Sequence, residues 1–331
     1  MSEATSLTVG TATAKPGAVA RGVIPVTTMP GGGDLGVPVI VINGTKAGPC
    51  VWVDGAIHGD EPEGPLTCYL LAQEVDPARL SGTLVLVPIM NVGAYEAAQR
   101  GNPFDTFSYD MNRIYPGRAG GYLTERVAHA HSEWMVKVAD YELSIHSGGN
   151  HSYLSETIFA TEDAASQELA RAMGPGWKLA LRAISPKGNP MGVMVDAGRA
   201  GITVELGGRS ATSPRAFNWV GRTLADAVLN VLRHYKMLPG RARYEKVRYT
   251  GVQHALLAPV SGTFVAQAGL EFQEPLKQGD KLATIYGVYG DPLAELRAPV
   301  DGMVFGLRAL PNVVTGDWCC FYAEVQGTLP E

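Results

Sequence analysis

Six short hydrophobic runs, rich in β-branched residues and bounded by Gly, Asn or Pro, constrain the fold of this chain more than any other feature. They cover residues 37–43, 50–57, 83–89, 140–145, 177–184 and 201–206. Short runs that are apolar at nearly every position are typical of strands buried on both faces. Helical patterns lie between or after them, at residues 62–75, 122–139, 164–173 and 214–235. This alternation predicts an α/β domain with a mixed, largely parallel sheet flanked by helices.

The sequence changes character near residue 240, where a basic segment is followed by short strand-like runs and Gly-rich turns. We therefore predict an α/β domain over residues 1–240 and a smaller all-β domain over 241–331. The motif Ala-Pro-Val-x-Gly occurs at 258–262 and again at 298–302, which predicts two related hairpin units in a small barrel or sandwich. This pattern resembles the biotinyl/lipoyl-type fold. The segment that would carry the modified lysine contains none, so we expect a structural cap or an interface element rather than a carrier.

Composition excludes several classes of protein. The 27 basic and 32 acidic residues give a net charge of −5, unlike a protein that coats nucleic acid. No run approaches the ~18 apolar residues of a membrane span, and the N-terminus lacks the apolar core of a secretory signal. The four cysteines form no CxxC pair, which predicts reduced packing residues. We expect a cytoplasmic protein that binds neither nucleic acid nor membrane.

Side chains that bind metals follow two of the predicted strands. His58 and Glu61 come directly after the run at 50–57, and His146 follows the run at 140–145. In open parallel sheets, ligands bind beyond the carboxyl ends of the strands, so these side chains should meet. A His and a Glu three residues apart can both face one metal ion.

A further carboxylate, Glu205, lies near the end of an otherwise apolar run. A charge there is costly unless it is paired or functional, and an ion pair with Arg199 or Arg209 is the structural alternative. Two imidazoles and one carboxylate form the ligand set of a catalytic zinc site, and a second carboxylate supplies a general base. Glu63 is the rival carboxylate in the first motif, although its spacing fits a metal site less well.

The irregular segment at 99–118 supplies positive charge. An amide hydrolase must stabilise an oxyanion and often holds a substrate carboxylate, and both tasks suit arginine. Arg100 and the pair Asn112-Arg113 are the candidates in this segment. A long segment without periodicity, broken by Pro and Gly, is typical of a functional loop.

These motifs occur in the order and rough spacing of the zinc carboxypeptidase superfamily. The chain resembles in particular the succinylglutamate desuccinylase/aspartoacylase family, over about residues 35–235 and with a similar all-β second domain. The matching residues are His58, Glu61, Arg100, Asn112, Arg113, the following Ile114-Tyr115-Pro116-Gly117, His146 and Glu205.

The resemblance implies a role for each of these side chains. The residues implied to bind one Zn²⁺ per chain are His58, Glu61 and His146. Glu205 would be the general base and later the general acid, and Arg100 would polarise the scissile carbonyl. Asn112 and Arg113 would hold the substrate carboxylate.

The substrate class follows from the same resemblance. Asp60 and the turn at 147–149 look most like the branch that contains N-acetyl-diaminobutyrate deacetylases. The family also places a β-domain tyrosine near the substrate, for which Tyr286 and Tyr289 are the candidates. We predict a zinc-dependent amidohydrolase that removes the acyl group from a small N-acyl amino acid. A metallocarboxypeptidase acting on small peptides and a non-enzymatic binding protein are the alternatives, and a homodimer stays open.

Overall fold

The computed structural model describes residues 4–105, 107, 109–183, 187–209 and 213–330. The strands are β1 Leu7–Val9, β2 Ala12–Ala14, β3 Ala18–Thr28, β4 Asp34–Asn43, β5 Lys46–Gly55, β6 Ser81–Val87, β7 Tyr141–His146, β8 Ser152–Ala160, β9 Leu179–Arg182, β10 Ala200–Gly208, β11 Val247–Leu257, β12 Gly262–Ala266, β13 Lys281–Tyr286, β14 Pro292–Arg297, β15 Gly302–Arg308, β16 Asn312–Val313 and β17 Trp318–Pro330. The α-helices are α1 Glu63–Glu74, α2 Val92–Glu96, α3 Leu123–Val138, α4 Ala164–Ala172, α5 Pro190–Asp196 and α6 Pro214–His234.

An eleven-stranded mixed sheet forms the centre of the molecule, in the order β15-β17-β11-β9-β8-β10-β7-β5-β6-β4-β3. Strands β6, β5, β7 and β10 are mutually parallel in this order. Antiparallel partners adjoin them on both sides, β4 next to β6 and β8 next to β10. The predicted fold class, a mixed sheet with helices and a C-terminal all-β region, is confirmed.

Helices cover both faces of the parallel strands. Helices α1, α4 and α6 pack on one face around a core that includes Leu71, Ile202 and Leu224. Helices α3 and α5 pack on the other face, in a core that includes Trp52 and Met135. Because the strands are covered on both sides, their sequences are hydrophobic at nearly every position.

A closed ring of strands joins the C-terminal region to the α/β sheet. Strand β15 pairs with β17 and also with β8, so β8, β9, β11, β17 and β15 form a ring. Two of these strands precede residue 240 and three follow it. Within residues 235–330 the structure contains strands but no helix, and the domain boundary at 240 stays a prediction because strand pairing continues across it.

The remaining C-terminal strands form a four-stranded sheet in the order β14-β13-β12-β16. Each Ala-Pro-Val-x-Gly motif leads into a strand, β12 or β15. The four cysteines are buried and free, as predicted. Among the described helices, none combines the length and apolar character needed to cross a membrane.

Candidate active site

The carboxyl ends of three parallel strands bring the predicted residues together. His146 is the last residue of β7, and it lies opposite Glu205 in the parallel pairing of β7 with β10. His58 and Glu61 follow the end of β5, in the turn that leads to α1. Gly59 allows this turn to lie against α2, because a Cβ at that position would be 2.0 Å from the carbonyl carbon of Ala94.

Three buried side chains place potential metal-ligand atoms close together, and we call them the three-donor group: His58, Glu61 and His146. The Nδ1 atom of His58 is 2.7 Å from Oε1 of Glu61, and Nδ1 of His146 is 3.1 Å from Oε2 of the same carboxylate. Single donor atoms from the three residues all lie within 4.8 Å of one another. Burial alone would raise the pKa of Glu61, but the two imidazoles hold it well below its ordinary value. Two imidazole nitrogens and a buried, ionised carboxylate fit a zinc ion.

Polar groups behind the two histidines fix their orientation. The Nε2 atom of His58 is 3.3 Å from Oδ1 of Asp110, and Nε2 of His146 is 3.4 Å from Oγ of Ser144. Such contacts leave the Nδ1 atoms facing the site, an arrangement common behind metal-binding histidines. Neither Asp110 nor Ser144 was predicted from the sequence. Ser144 could have been, because a residue two positions before His146 on a strand lies on the same face of the sheet.

Asp110 also organises the arginine-bearing loop. Its Oδ2 accepts hydrogen bonds from Nε and Nη2 of Arg100, at 3.3 and 3.1 Å. Its Oδ1 accepts the backbone N–H of Asn112 at 3.0 Å, which fixes the 3₁₀ turn Met111–Arg113. Burial would raise the pKa of Asp110, but His58 and Arg100 hold it well below its usual range. One carboxylate thus connects His58, a proposed metal ligand, with Arg100 and Asn112 of the loop.

Glu205 is half-buried and lines the same cavity as the three donors, with its Oε2 atom enclosed. Its Oε2 has no hydrogen-bond partner among the described residues. Burial and the charge of Glu61 raise its pKa well above the ordinary value. The alternative ion pairs are not formed, because Arg199 donates to the carbonyl of Ala139 and Arg209 to that of Asn150. This carboxyl group is therefore available to exchange a proton in the cavity.

Glu63, the rival carboxylate, has a different position. Its Oε1 accepts the backbone N–H of Gly208, and its Oε2 accepts the hydroxyl of Ser147, both at 2.8 Å. Burial raises its pKa to about 7. Glu63 ties the ends of β7 and β10 together and does not join the three-donor group.

A cavity of about 400 Å³ is lined by all the residues to which a catalytic, carboxylate-holding or metal role was assigned in the α/β region. These are His58, Glu61, Arg100, Asn112, Arg113, His146 and Glu205. His151, which follows β7, also lines it. The buried Oδ1 of Asn112 has no partner among the described residues.

The predicted tyrosines lie elsewhere. Neither Tyr286 nor Tyr289 lines the cavity, and Tyr289 is 92% exposed on the turn between β13 and β14. That hairpin belongs to the four-stranded sheet, whereas β11, β15 and β17 continue the sheet that holds the site. The C-terminal residues that do reach the cavity are Gln253, Phe305, Trp318 and Phe321. Their spacing in sequence gave no signal, because contact depends on strand register.

A second group of buried ionisable side chains lies deeper under α3. Asp54 and Glu142 are fully buried on neighbouring strands, and His131 of α3 is 3.5 Å from the Asp54 carboxylate. Burial lowers the pKa of His131 to about 3, so its imidazole is neutral. Its Nε2 accepts the Trp52 N–H at 3.1 Å, so the ring proton is on Nδ1, 3.2 Å from the Tyr115 hydroxyl. Burial raises the pKa of Asp54 to about 7 and that of Glu142 well above its ordinary value.

Comparison with known proteins decides the family. The family model of the succinylglutamate desuccinylase/aspartoacylase catalytic domain matches residues 47–235. The chain belongs to this family. The resemblance predicted from the motifs is therefore confirmed, and the matched segment contains every residue of the three-donor group, Glu205 and the arginine loop.

Relatives of this succinylglutamate desuccinylase/aspartoacylase family member include deacylases. The chain is 27% identical over 310 residues to the N-alpha-acetyl-L-2,4-diaminobutyric acid deacetylase of Halomonas elongata, covering 90% of this chain and 88% of that protein. A crystal structure of a succinylglutamate desuccinylase from Silicibacter sp. TM1040 superposes with a TM-score of 0.82 at 24% identity, covering 98% of this chain and all of that one. The product-bound ectoine utilization protein EutE (DoeB) of Ruegeria pomeroyi gives 0.81 at 25% identity, covering 92% and 95%.

Proposed function

We propose that this protein is a zinc-dependent amidohydrolase that removes the acyl group from a small N-acyl amino acid. The observation that carries the proposal is one cavity that joins the three-donor group to the free carboxyl of Glu205. The reaction adds water across the amide, so that R–CO–NH–R′ gives R–COOH and H₂N–R′. The kinship with the diaminobutyric acid deacetylase supports an acyl amino acid as substrate.

His58, Glu61 and His146 would hold the metal ion, with Asp110 and Ser144 orienting the two imidazoles. Zinc in such a site acts as a Lewis acid towards a carbonyl oxygen and lowers the pKa of water to about 7. The donor set fits this ion, because all three side chains are buried and their carboxylate is ionised.

Glu205 is the proton carrier of the proposed reaction. Its free Oε2 takes the proton from the attacking water and gives it to the leaving nitrogen when the C–N bond breaks. Burial raises the pKa of this carboxyl group, which makes its carboxylate a stronger base towards the attacking water than an exposed glutamate would be.

The loop arginines supply the remaining groups. Arg100 lies beside the donors, with Nη1 3.5 Å from Nδ1 of His58, and would donate to the carbonyl oxygen as negative charge develops on it. Asn112 and Arg113 line the same cavity and would hold the substrate carboxylate. C-terminal side chains also line this cavity, and its volume of about 400 Å³ favours small acyl amino acids over peptides.

Glu205→Gln tests the proposed mechanism. We expect the variant to keep one zinc per chain and to bind substrate, while kcat for N-acyl amino acids, including Nα-acetyl-L-2,4-diaminobutyrate, falls by about 10²- to 10⁴-fold. Glu162→Gln is the matched control, because Glu162 is an exposed surface glutamate. Near-native kcat in a preparation free of wild-type enzyme would remove Glu205 from the mechanism.

Two further measurements separate the alternatives. Dipeptides offered in competition with N-acyl amino acids test the carboxypeptidase hypothesis, and preferred cleavage of dipeptides would favour it. Metal analysis after purification without chelator tests the non-enzymatic hypothesis. We expect one zinc per chain, and a metal-free protein that zinc does not activate would contradict the proposed function.

A further inference from the structure

Four aromatic side chains line the cavity together with the charged residues, and we call them the aromatic wall: Phe159, Phe305, Phe321 and Trp318. The rings contact one another in series. Phe159 and Phe305 have centroids 6.1 Å apart, Phe305 and Phe321 stack at 5.7 Å, and Trp318 lies 4.0 Å from Phe321. Three of these side chains come from β15 and β17, so the C-terminal region supplies most of this surface.

The backbone beneath the wall is adapted to it. At Gly306, where β15 has an irregular register, a Cβ would be 2.3 Å from Leu154 and 3.1 Å from Phe321. The absence of a side chain lets both residues pack over the strand. Phe305 also belongs to a buried cluster of the ring strands with Leu179 and Met303, and Phe159 and Phe321 pack against that cluster. Small-molecule sites are commonly lined by such apolar and aromatic side chains.

Among the described side chains, those that the C-terminal strands contribute to the cavity carry no charge. They are Gln253, Phe305, Trp318 and Phe321. Leu154 of β8 adds a further apolar surface. A charged substituent placed against this wall would lose water without gaining an ionic partner, which is costly, whereas an apolar substituent would gain from burial.

Two cavities separate the acyl side of the substrate from the amine side. An adjoining cavity of about 270 Å³ continues from the first to Thr203 and Lys187, and the two share five lining residues: Asn112, Arg113, Phe159, Glu205 and Gln253. In the proposed reaction Glu205 protonates the leaving nitrogen and Arg113 holds the carboxylate, so the amine part lies towards this adjoining cavity, which Lys187 also lines. The three metal-binding candidates and Arg100 line only the first cavity, as do Trp318 and Phe321. The group attached to the carbonyl carbon therefore points towards the aromatic wall.

We propose that the aromatic wall is an acyl subsite for an apolar group larger than acetyl, and that Trp318 and Phe321 determine this specificity. This inference rests on the proposed deacylase function and names its acyl substituent: a branched aliphatic or aromatic group rather than a dicarboxylic one such as succinyl.

The test compares acyl groups on a single amino acid in the zinc-loaded enzyme. The decisive pair is 4-methylpentanoyl and succinyl, which have the same shape and differ in the terminal carboxylate. We expect kcat/KM to rise by about 10-fold or more from acetyl to 4-methylpentanoyl, and the succinyl derivative to be at least about 10-fold poorer than its apolar counterpart. A best rate with acetyl, or equal rates for the matched pair, would overturn the inference.

Two variants of Trp318 test whether the aromatic wall causes the preference for an apolar acyl group. Trp318→Ala should lower the ratio of the 4-methylpentanoyl to the acetyl rate by several-fold, mainly through KM, and Trp318→Arg should shift the matched pair towards succinyl. Trp219→Ala, which removes an exposed tryptophan on α6, should leave both ratios unchanged. Unchanged ratios in folded Trp318 variants would contradict the role of Trp318, and the acyl series of the wild-type enzyme remains decisive if they do not fold.

Binding separates this inference from the proposed function. Calorimetry with zinc-loaded Glu205→Gln measures dissociation constants for the matched pair without turnover. Preferential binding of the 4-methylpentanoyl derivative supports the subsite even if the wild-type enzyme hydrolyses neither compound, in which case the proposed function fails alone. Equal binding, or binding of neither compound, overturns the subsite.

Discussion

The same sheet contains two groups of buried ionisable side chains, and their charges are compensated differently. At the strand ends, Glu61 and Asp110 face imidazole and guanidinium groups, so the pKa values of both carboxyls are well below ordinary. Under α3, Asp54 lies beside the neutral imidazole of His131, so burial raises its pKa, and burial together with the charge of Asp54 raises that of Glu142. Burial of acids is therefore not by itself a sign of catalysis. In this molecule the compensated group borders a cavity and is the one that suits a metal ion.

The largest expected effect is at the carboxylate shared by the two imidazoles. Glu61→Gln removes the negative charge between His58 and His146, so we expect loss of bound zinc and a fall in kcat/KM of roughly 10³-fold or more, since such an ion contributes several kcal/mol to the transition state. Metal analysis and steady-state kinetics measure both quantities.

Glu63→Gln is the matched control for that change. It alters a buried glutamate two residues away that hydrogen-bonds Ser147 and Gly208 and lies outside the three-donor group. We expect it to retain zinc. Loss of zinc from this variant and retention by Glu61→Gln would reverse the roles of the two carboxylates.

A smaller effect on zinc binding is expected at Asp110, which contacts the proposed metal ligand His58. Asp110→Asn weakens the contact with His58 and the ion pair with Arg100, and loss of such supporting carboxylates typically lowers metal affinity by about 10- to 100-fold. Competition with a chelator measures the zinc affinity. Asp105→Asn tests whether general damage to the loop has the same effect, because Asp105 accepts the backbone N–H groups of Phe107 and Thr124 and so holds another part of the same loop. Equal losses in both variants would argue against a specific role for Asp110.

The buried acids under α3, Asp54 and Glu142, should affect the stability of the fold rather than activity. The pKa of Asp54 rises from 3.8 in the unfolded chain to about 7 in the folded one, so the folded state binds the proton more tightly between these values. Its contribution to stability is complete below about pH 4 and is lost as the pH rises towards 7. Asp54→Asn removes this dependence, so its free energy of unfolding relative to wild type should increase from pH 4 to 7, by at most about 4 kcal/mol.

Denaturant unfolding at several pH values measures this difference. Asp291→Asn, at an exposed position in the turn after β13, is the control and should remain parallel to wild type. A pH-independent difference between Asp54→Asn and wild type would show that Asp54 titrates normally in the folded protein.

The sequence alone was sufficient to predict the positions of site residues that lie at or just after the end of a buried strand. The buried runs predict β5, β7 and β10 to within a few residues, and the parallel arrangement then brings His58, His146 and Glu205 to one edge. Strand β8 was not predicted, because its sequence, SYLSETIFA, places polar residues among the apolar ones. That pattern reflects a strand with three different partners, β9, β10 and β15, rather than one covered by helices on both faces.

The contributions of loops and of the C-terminal strands were not predictable in the same way. Asp110 contacts His58 across 52 residues, and no periodicity connects the two. The tyrosines at 286 and 289 were selected by residue type, whereas contact with the cavity depends on antiparallel register, which the sequence does not specify locally. Phe321 lies opposite Gly306 in β15, and Gly306 lies opposite Leu154 in β8.

The pairing of β8 with β15 also has a consequence for the order in which the enzyme is assembled. The hydroxyl of Ser155 donates to the carbonyl of Phe305, a contact between residues 150 positions apart. Contacts of such separation form slowly, because the intervening chain must first be ordered. During synthesis, the segment with the metal-binding residues leaves the ribosome well before β15 and β17. We therefore expect the early folded intermediate to have an open, water-filled cavity, and hydrolytic activity to begin only when the last strands have joined the ring.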